Sequence, residues 1–284
     1  MKKYHLSLAL IISLAALLSG CAADPEKNHG FSGAGNPGGE EAMAAIGPDR
    51  VFPGGLPRSI GGNAVKYDAA GRVTAIGSAA RFRYLASAHA EKNGYNILLD
   101  TDDGEYRLCV NEDGWVGYAE KEGMALNLAY NLAGYLNHME WEDAEADGHG
   151  EIVFYYEDGD LLTGRGNCSY HGGAGHLEVT LSYTGSGLSE PLDNKGGLIF
   201  MNHGAGGLDL GGLQWAYYAG LLGRPSRHLP LHKAVIGPAG HSTQEFYEWQ
   251  TDSDGLPSSV AVSEIDNFSD SLSYGSRSHL FSWR

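Results

Sequence analysis

Three kinds of grouping in this sequence have the residue types and spacing to do chemistry. The first is acidic: from Glu140 to Asp160 there are nine Asp or Glu residues and no Lys or Arg. Within that run Asp143, Glu145, Asp147 and Gly148 repeat the opening of a calcium loop, in which carboxylates on alternate residues wrap a hard cation. Phe154 stands where the closing bidentate acid belongs. No cofactor is expected beyond a weakly held calcium ion at Asp143, Glu145 and Asp147, and a solvated hairpin tip accounts for the same acids. The second grouping is aromatic. Trp115, Tyr118, Tyr130, Tyr135, Trp141, Tyr155 and Tyr156 crowd one part of the chain, and flat rings on a concave sheet can stack on a glycan or hold an apolar ligand. Tyr130 and Tyr155 fall on the strand face that the pattern assigns to the core. That leaves Trp115, Tyr135 and Trp141 on the other face as the candidate ligand-binding residues.

The third grouping looks catalytic. Asn202-His203-Gly204-Ala205-Gly206-Gly207 is similar to the oxyanion loop of lipases, which requires a serine on a Gly-x-Ser-x-Gly turn. No such turn occurs, because Gly240-His241-Ser242 runs on into Thr243-Gln244. Cys168, His171 and His176 have a zinc-like spacing but lack a fourth ligand. His228 and His232 are separated by Pro230, which denies them one helical face. No catalytic residue is assigned on this basis. The expected function is non-catalytic, with a hydrolase or metal-dependent enzyme as the alternative.

The elements that must hold these residues are read from a repeating hairpin. Val65 to Ile76 is its fullest copy, echoed at 107–118, 126–139 and 153–162 and more loosely at 102–104 and 252–255. Counting from Gly71, Gly114 and Gly134, apolar residues stand six and four before and two after, the period of two that turns one strand face inward. Asp68, Asn111 and Asn131 stand three before, where their side chains can accept from backbone N–H groups two residues on. The glycine can then take the positive φ of a turn with a bulge. Bulged hairpins add twist, so the sheet should curl. Further strands are expected at 81–85, 95–99, 176–183, 197–201, 244–251, 258–265 and 279–283. One buried helix is expected at 210–222, capped by Asp209 and ended by Gly223 and Pro225.

Residues 1–20 read as an export signal: Lys2 and Lys3 precede an apolar run from Leu6 to Leu18 that is too short to span a bilayer. Leu18-Ser19-Gly20-Cys21 resembles a bacterial lipobox, which implies lipid on Cys21 and an anchored, otherwise water-soluble protein. Residues 21–50 read as a disordered tether, and 51–284 as a single β-rich domain. The expected location is the outer membrane, on its periplasmic or external side. The net charge of −16 excludes nucleic acid as a partner and suits cations or basic ligands. The lipid anchor aside, the partner classes are a glycan, a peptide or an apolar molecule. Cys109 and Cys168 remain as a pair that either forms a disulfide or stays as two thiols.

Phe52-Pro53-Gly54-Gly55-Leu56-Pro57-Arg58-Ser59-Ile60, the Tyr67 to Val73 hairpin, Asn194-Lys195-Gly196, the stretch from Trp215 to Gly223 and Leu256-Pro257-Ser258-Ser259 together resemble a Bacteroidetes-type secreted lipoprotein family. That family is a domain of unknown function with a porin-like fold. The resemblance implies an architecture and no catalytic residues. The fold class expected is therefore mainly β, a curved antiparallel meander forming an open or closed barrel-like sheet around one helix. Lys66, Arg72, Arg81, Arg83, Arg107 and Glu178 on its strands argue against a lipid-facing wall.

Overall fold

A computed structural model describes residues 46–52, 54–85, 94–145, 147–170, 173–185, 190–194, 210–238, 241–268 and 271–284. These lie within the compact unit Ala34–Arg284. Cys21, the leader, most of the tether, the 202–207 loop and the strand expected at 197–201 fall outside the described residues. The strands in chain order are β1 (Pro57–Ile60), β2 (Asn63–Tyr67), β3 (Val73–Ile76), β4 (Ala80–Tyr84), β5 (Ile97–Thr101), β6 (Gly104–Val110), β7 (Val116–Lys121) and β8 (Met124–Tyr130). They continue with β9 (Leu136–Asp143), β10 (Gly148–Glu157), β11 (Asp160–Tyr170), β12 (Gly173–Ser182), β13 (His232–Ile236), β14 (Ser242–Thr251), β15 (Pro257–Phe268) and β16 (Ser271–Trp283). Each pairs antiparallel with the next, and β16 returns to β1, so the meander is a closed barrel.

The hairpin chemistry reads through to the structure. At the rim where even-numbered strands end, Asp68 Oδ1 accepts from the N–H groups of Ala70 and Arg72, and Asn111 Oδ1 from those of Asp113 and Trp115. Asn131 Oδ1 accepts from Ala133 and Tyr135, and Asp252 Oδ1 from Asp254 and Leu256, so the 252–255 copy is as tight as the others. Gly71, Gly114, Gly134 and Gly255 close these loops at φ between 76° and 85°. The 153–162 copy differs. Its loop is Asp158 and Gly159 alone, both at positive φ, a two-residue turn between the paired Glu157 and Asp160. One residue fewer reverses the strand's faces. Ile152 and Phe154 are buried and Tyr155 is 52% exposed, so the expected core position of Tyr155 is corrected.

The same rim is sealed by aromatic side chains near the ends of even strands, each donating to a carbonyl at the start of the strand before. Tyr67 reaches Pro57 O at 2.5 Å, Tyr84 reaches Val73 O at 2.9 Å, Tyr130 reaches Val116 O at 2.8 Å and Tyr156 reaches Leu136 O at 3.0 Å. Tyr183 does so to Leu161 O, Trp249 to Pro230 O and Trp283 to Pro257 O. Burial pushes the Tyr84, Tyr156 and Tyr183 phenols upward, so they stay protonated donors.

The described residues 210–222 of the β12–β13 connection join the buried core. Its helix, α1 (Gln214–Tyr218), follows a 3₁₀ turn at Gly211–Leu213, so the helix expected over 210–222 is shorter than its apolar pattern. It stops because Gly220, at φ 74°, donates to Tyr217 O while Leu221 donates to Ala216 O, a Schellman ending. Leu213, Ala216, Tyr217, Leu221 and Leu222 are buried, and Phe52 packs its ring against Tyr217, Tyr218 and Trp283 at 6.0–6.4 Å. The connection is pinned to the wall by Val116 N–H to Leu221 O, Arg224 N–H to Gly134 O and Gly212 N–H to Asp103 Oδ2.

The two faces of the wall are opposite in kind. Inward positions such as Val73, Ile97, Leu108, Val116, Met139, Ile152 and Leu177 are buried. Outward positions carry exposed ion pairs, among them Arg83–Glu105 at 2.7 Å, Arg107–Glu120 at 3.6 Å and Arg165–Glu178 at 3.2 Å. A membrane barrel has an apolar outside and a polar inside; the charged outer face from β4 to β12 is the reverse, whereas β13, β14 and β16 expose Ile236, Phe246, Leu272, Tyr274 and Leu280. Among the described residues no helix is long and apolar enough to cross a membrane.

Candidate functional site

On the outer face, β6 to β11 align their side chains in cross-strand rows. One row is Arg107, Glu120, Ala125, Glu142, His149 and Ser169. The next is Tyr118, Asn127, Glu140, Glu151 and Asn167. Two adjoining hollows open over these rows, of about 1120 and 570 Å³, and share Ala125, Glu142 and His149. The larger is lined by eight carboxylates, Asp103, Glu105, Glu120, Glu122, Glu142, Asp143, Glu145 and Asp147, against two cations among the described residues, Arg107 and Lys121. Both cations are already engaged: Lys121 Nζ lies 2.8 Å from Asp103 Oδ1, and Arg107 lies 3.6 Å from Glu120. Burial pushes the Asp103 carboxyl up, but hydrogen bonds from Lys121, Tyr106 and Gly212 N–H, with the Lys121 charge, outweigh it and hold the group at about 2.

Asp143, Glu145 and Asp147 all lie on the margin of this trough, at the β9–β10 turn. Asp143 Oδ1 accepts from Glu145 N–H at 3.0 Å, so the loop uses that carboxylate to shape its own backbone. The three do not gather at ligand spacing. Among the described residues the group that does is His138, Glu140 and Glu151 on β9 and β10. Sequence reading missed it because its members belong to two strands and meet only through register.

The three aromatic candidates are dispersed. Trp115 is 4% exposed, under the Arg50 guanidinium at 3.8 Å and beside Tyr130. Tyr135 packs on Tyr156 at 4.7 Å between ring centres, at the rim of the Asx loops. Trp141, 5% exposed, shares the buried strand face with Met139 and covers Gly150, where a Cβ would meet its ring. Trp141 contributes to the smaller hollow, but the three rings form no shared platform.

The catalytic-looking groups also separate. Cys168 is buried, whereas His176, paired across from Asn167, lies on the exposed face, and His171 is outside the described residues. His228 Nδ1 lies 2.7 Å from Asp160 Oδ2, but nearby Ser226 Oγ is bonded to Tyr183 OH and Leu161 N–H. A serine engaged in that way is not set beside its base as a nucleophile must be. His232 packs at a tilt against Phe246, with 4.7 Å between ring centres. Cys109 and Cys168 are free thiols.

Sequence reading also passed over a charged cluster on the inner wall. Lys233 Nζ lies 2.5 Å from Glu245 Oε2, Arg277 bonds both Glu245 and Glu264, and Tyr247 OH donates to Glu245 at 2.5 Å. Two cations against two carboxylates leave it neutral, the state in which buried ions are tolerated.

No family model and no curated protein matches the sequence. Among solved structures, a porin-like protein from Bacteroides uniformis is similar, with a TM-score of 0.52 over 78% of this chain and 89% of that one at 14% identity. The two chains share a fold. At that identity the likeness carries architecture alone, and it agrees with the curved antiparallel barrel read from the hairpins.

Proposed function

We propose that this chain is a non-catalytic, water-facing envelope protein, anchored at the outer membrane through lipid on Cys21, whose outer trough captures a cationic ligand such as a basic peptide segment. The observation that supports the ligand class is the lining of the larger hollow, eight carboxylates against two cations. A surface recess lined by one sign of charge focuses its field and raises the local concentration of the opposite sign. The outward charges from β4 to β12 and the buried apolar core suit a barrel that works in water. The lipobox-like Leu18-Ser19-Gly20-Cys21 and the resemblance to secreted lipoproteins support the proposed anchor and location.

The test is calorimetric titration of the full chain with an oligolysine peptide and a neutral Ser/Gly peptide of equal length. The lysine peptide should bind and weaken steeply as salt rises, because exposed charges are screened over about 8 Å at physiological ionic strength. A triple variant, Glu142→Gln, Asp143→Asn and Glu145→Gln, should lose most of that binding. Equal binding by the variant, or none by the wild type, rejects the trough. Loss of membrane association on Cys21→Ser tests the anchor separately.

A further inference from the structure

The pairing of β9 with β10 sets Glu140 directly opposite Glu151 on the outer face. Like charges in facing positions destabilise a sheet. His138 lies on the same face of β9, and its Nε2 is 3.9 Å from Glu140 Oε1 and 3.9 Å from Glu151 Oε2. The three donor atoms all fall within 4.8 Å of one another. We infer that His138, Glu140 and Glu151 form a binding site for a divalent transition-metal ion of the zinc or cobalt class.

Separations of 3.9 Å exceed direct hydrogen-bond reach. They are close to the spacing of two ligands on one tetrahedral ion with bonds of 2.0–2.2 Å, which is about 3.4 Å. Closing the difference needs only small side-chain adjustments from Glu140 and Glu151, since the ladder between β9 and β10 already holds the three Cα atoms in place. An imidazole with two carboxylates selects transition ions, whereas calcium and magnesium take oxygen ligands. Glu140 and Glu151 also line the smaller hollow, so water has access to the remaining coordination positions. The bound cation would remove the repulsion that the strand register imposes on the two glutamates.

This inference does not depend on the peptide-binding reading, because its donors are other than the trough carboxylates altered above. The experiment is titration of the full chain with Co²⁺, followed by visible absorption and then by competition with Zn²⁺ and with Ca²⁺. One Co²⁺ per chain, displaced by Zn²⁺ and not by excess Ca²⁺, is expected. His138→Ala and Glu151→Gln should each weaken binding by at least about tenfold, while circular dichroism shows the barrel still folded and, without metal, Glu151→Gln melts no lower than the wild type because the facing charge is gone. The Glu142, Asp143 and Glu145 triple variant should keep its Co²⁺ affinity. The site is refuted by no absorption up to about 1 mM Co²⁺ or by unchanged affinity in both single variants. It is refuted equally if the trough variant loses as much affinity as they do, which would mean diffuse acidic attraction.

Discussion

Replacing Glu245 with Gln is expected to destabilise the barrel severely, and the structure sets the size of the effect. Glu245 is fully buried on β14, where its carboxylate serves Lys233 from β13, Arg277 from β16 and Tyr247 on its own strand. The amide keeps the shape but removes the charge. Lys233, 2% exposed, then loses the carboxylate it is paired with, whereas Arg277 keeps Glu264 at 2.6 Å. Removing one member of a buried pair costs about 3–5 kcal/mol. At about 2–4 °C per kcal/mol for a domain of this size, the melting temperature should fall by roughly 6–20 °C. Lys233→Met is the contrasting case: burial pushes the Lys233 ammonium below its ordinary value in spite of Glu245, so deleting that charge relieves a cost while Glu245 retains Arg277 and Tyr247. It leaves two carboxylates against Arg277, so it should still destabilise, but by less than Glu245→Gln.

The pH dependence follows from the same cluster. Burial pushes the Glu245 carboxyl up, but the charge and hydrogen bond of Lys233, with the bonds from Tyr247 and Arg277, outweigh it and hold the group below its ordinary value of 4.5. A depressed carboxyl contributes stability that is complete above its unfolded-state value and disappears as pH falls through the folded one. The Glu245→Gln penalty should therefore shrink as the pH drops below about 4. Calorimetric melting at pH 7 and along an acid series reads both effects. A Glu245→Gln protein melting within about 2 °C of the wild type, or Lys233→Met falling as far as Glu245→Gln, would refute the account of the cluster.

Further outcomes are expected elsewhere. Gly134→Ala places a Cβ at φ 85° in the Asn131 loop and should cost about 1–2 kcal/mol in urea unfolding; no change would mean the loop relaxes freely. Tyr156→Phe deletes the bond to Leu136 O at 3.0 Å and should cost about 1 kcal/mol by the same measurement. Asp103, held at about 2 against a usual 3.8, contributes stability present above pH 4 and lost toward pH 2. Asp103→Asn should therefore lower the melting temperature at pH 7 and do so by much less at pH 2. Burial pushes the Cys109 and Cys168 thiols up, so both should resist a thiol reagent until the chain unfolds, and early labelling of either would count against the packing described.

Local chemistry alone determined a large part of this protein. Asp68, Asn111, Asn131 and Asp252 with their closing glycines specify hairpins through bonds spanning only two to four residues, and such bonds are legible in any short window. The period of two set which faces are buried. Arg81, Arg83, Arg107 and Glu178 pointed to a wall that faces water, and the run around Trp215 to a buried helix. The 158–159 turn shows how narrow that margin is: Asp-Gly carried a two-residue signal, but the Glu-Asp-Gly shared with 112–114 suggested the longer loop, and one residue moved Tyr155 from core to surface.

What tertiary structure decided is whatever depends on partners distant in the chain. The pairing of β1 with β16, more than two hundred residues apart, turns a curved sheet into a barrel, and no local pattern encodes it. Lys233, Glu245, Glu264 and Arg277 stand on four different strands, β13 to β16; only the pairing of those strands sets them close enough to neutralise one another. Trp115 and Trp141 looked available until Arg50 and Gly150 were brought against them. His138, Glu140 and Glu151 converge because strand register, a long-range quantity, places two carboxylates and an imidazole side by side.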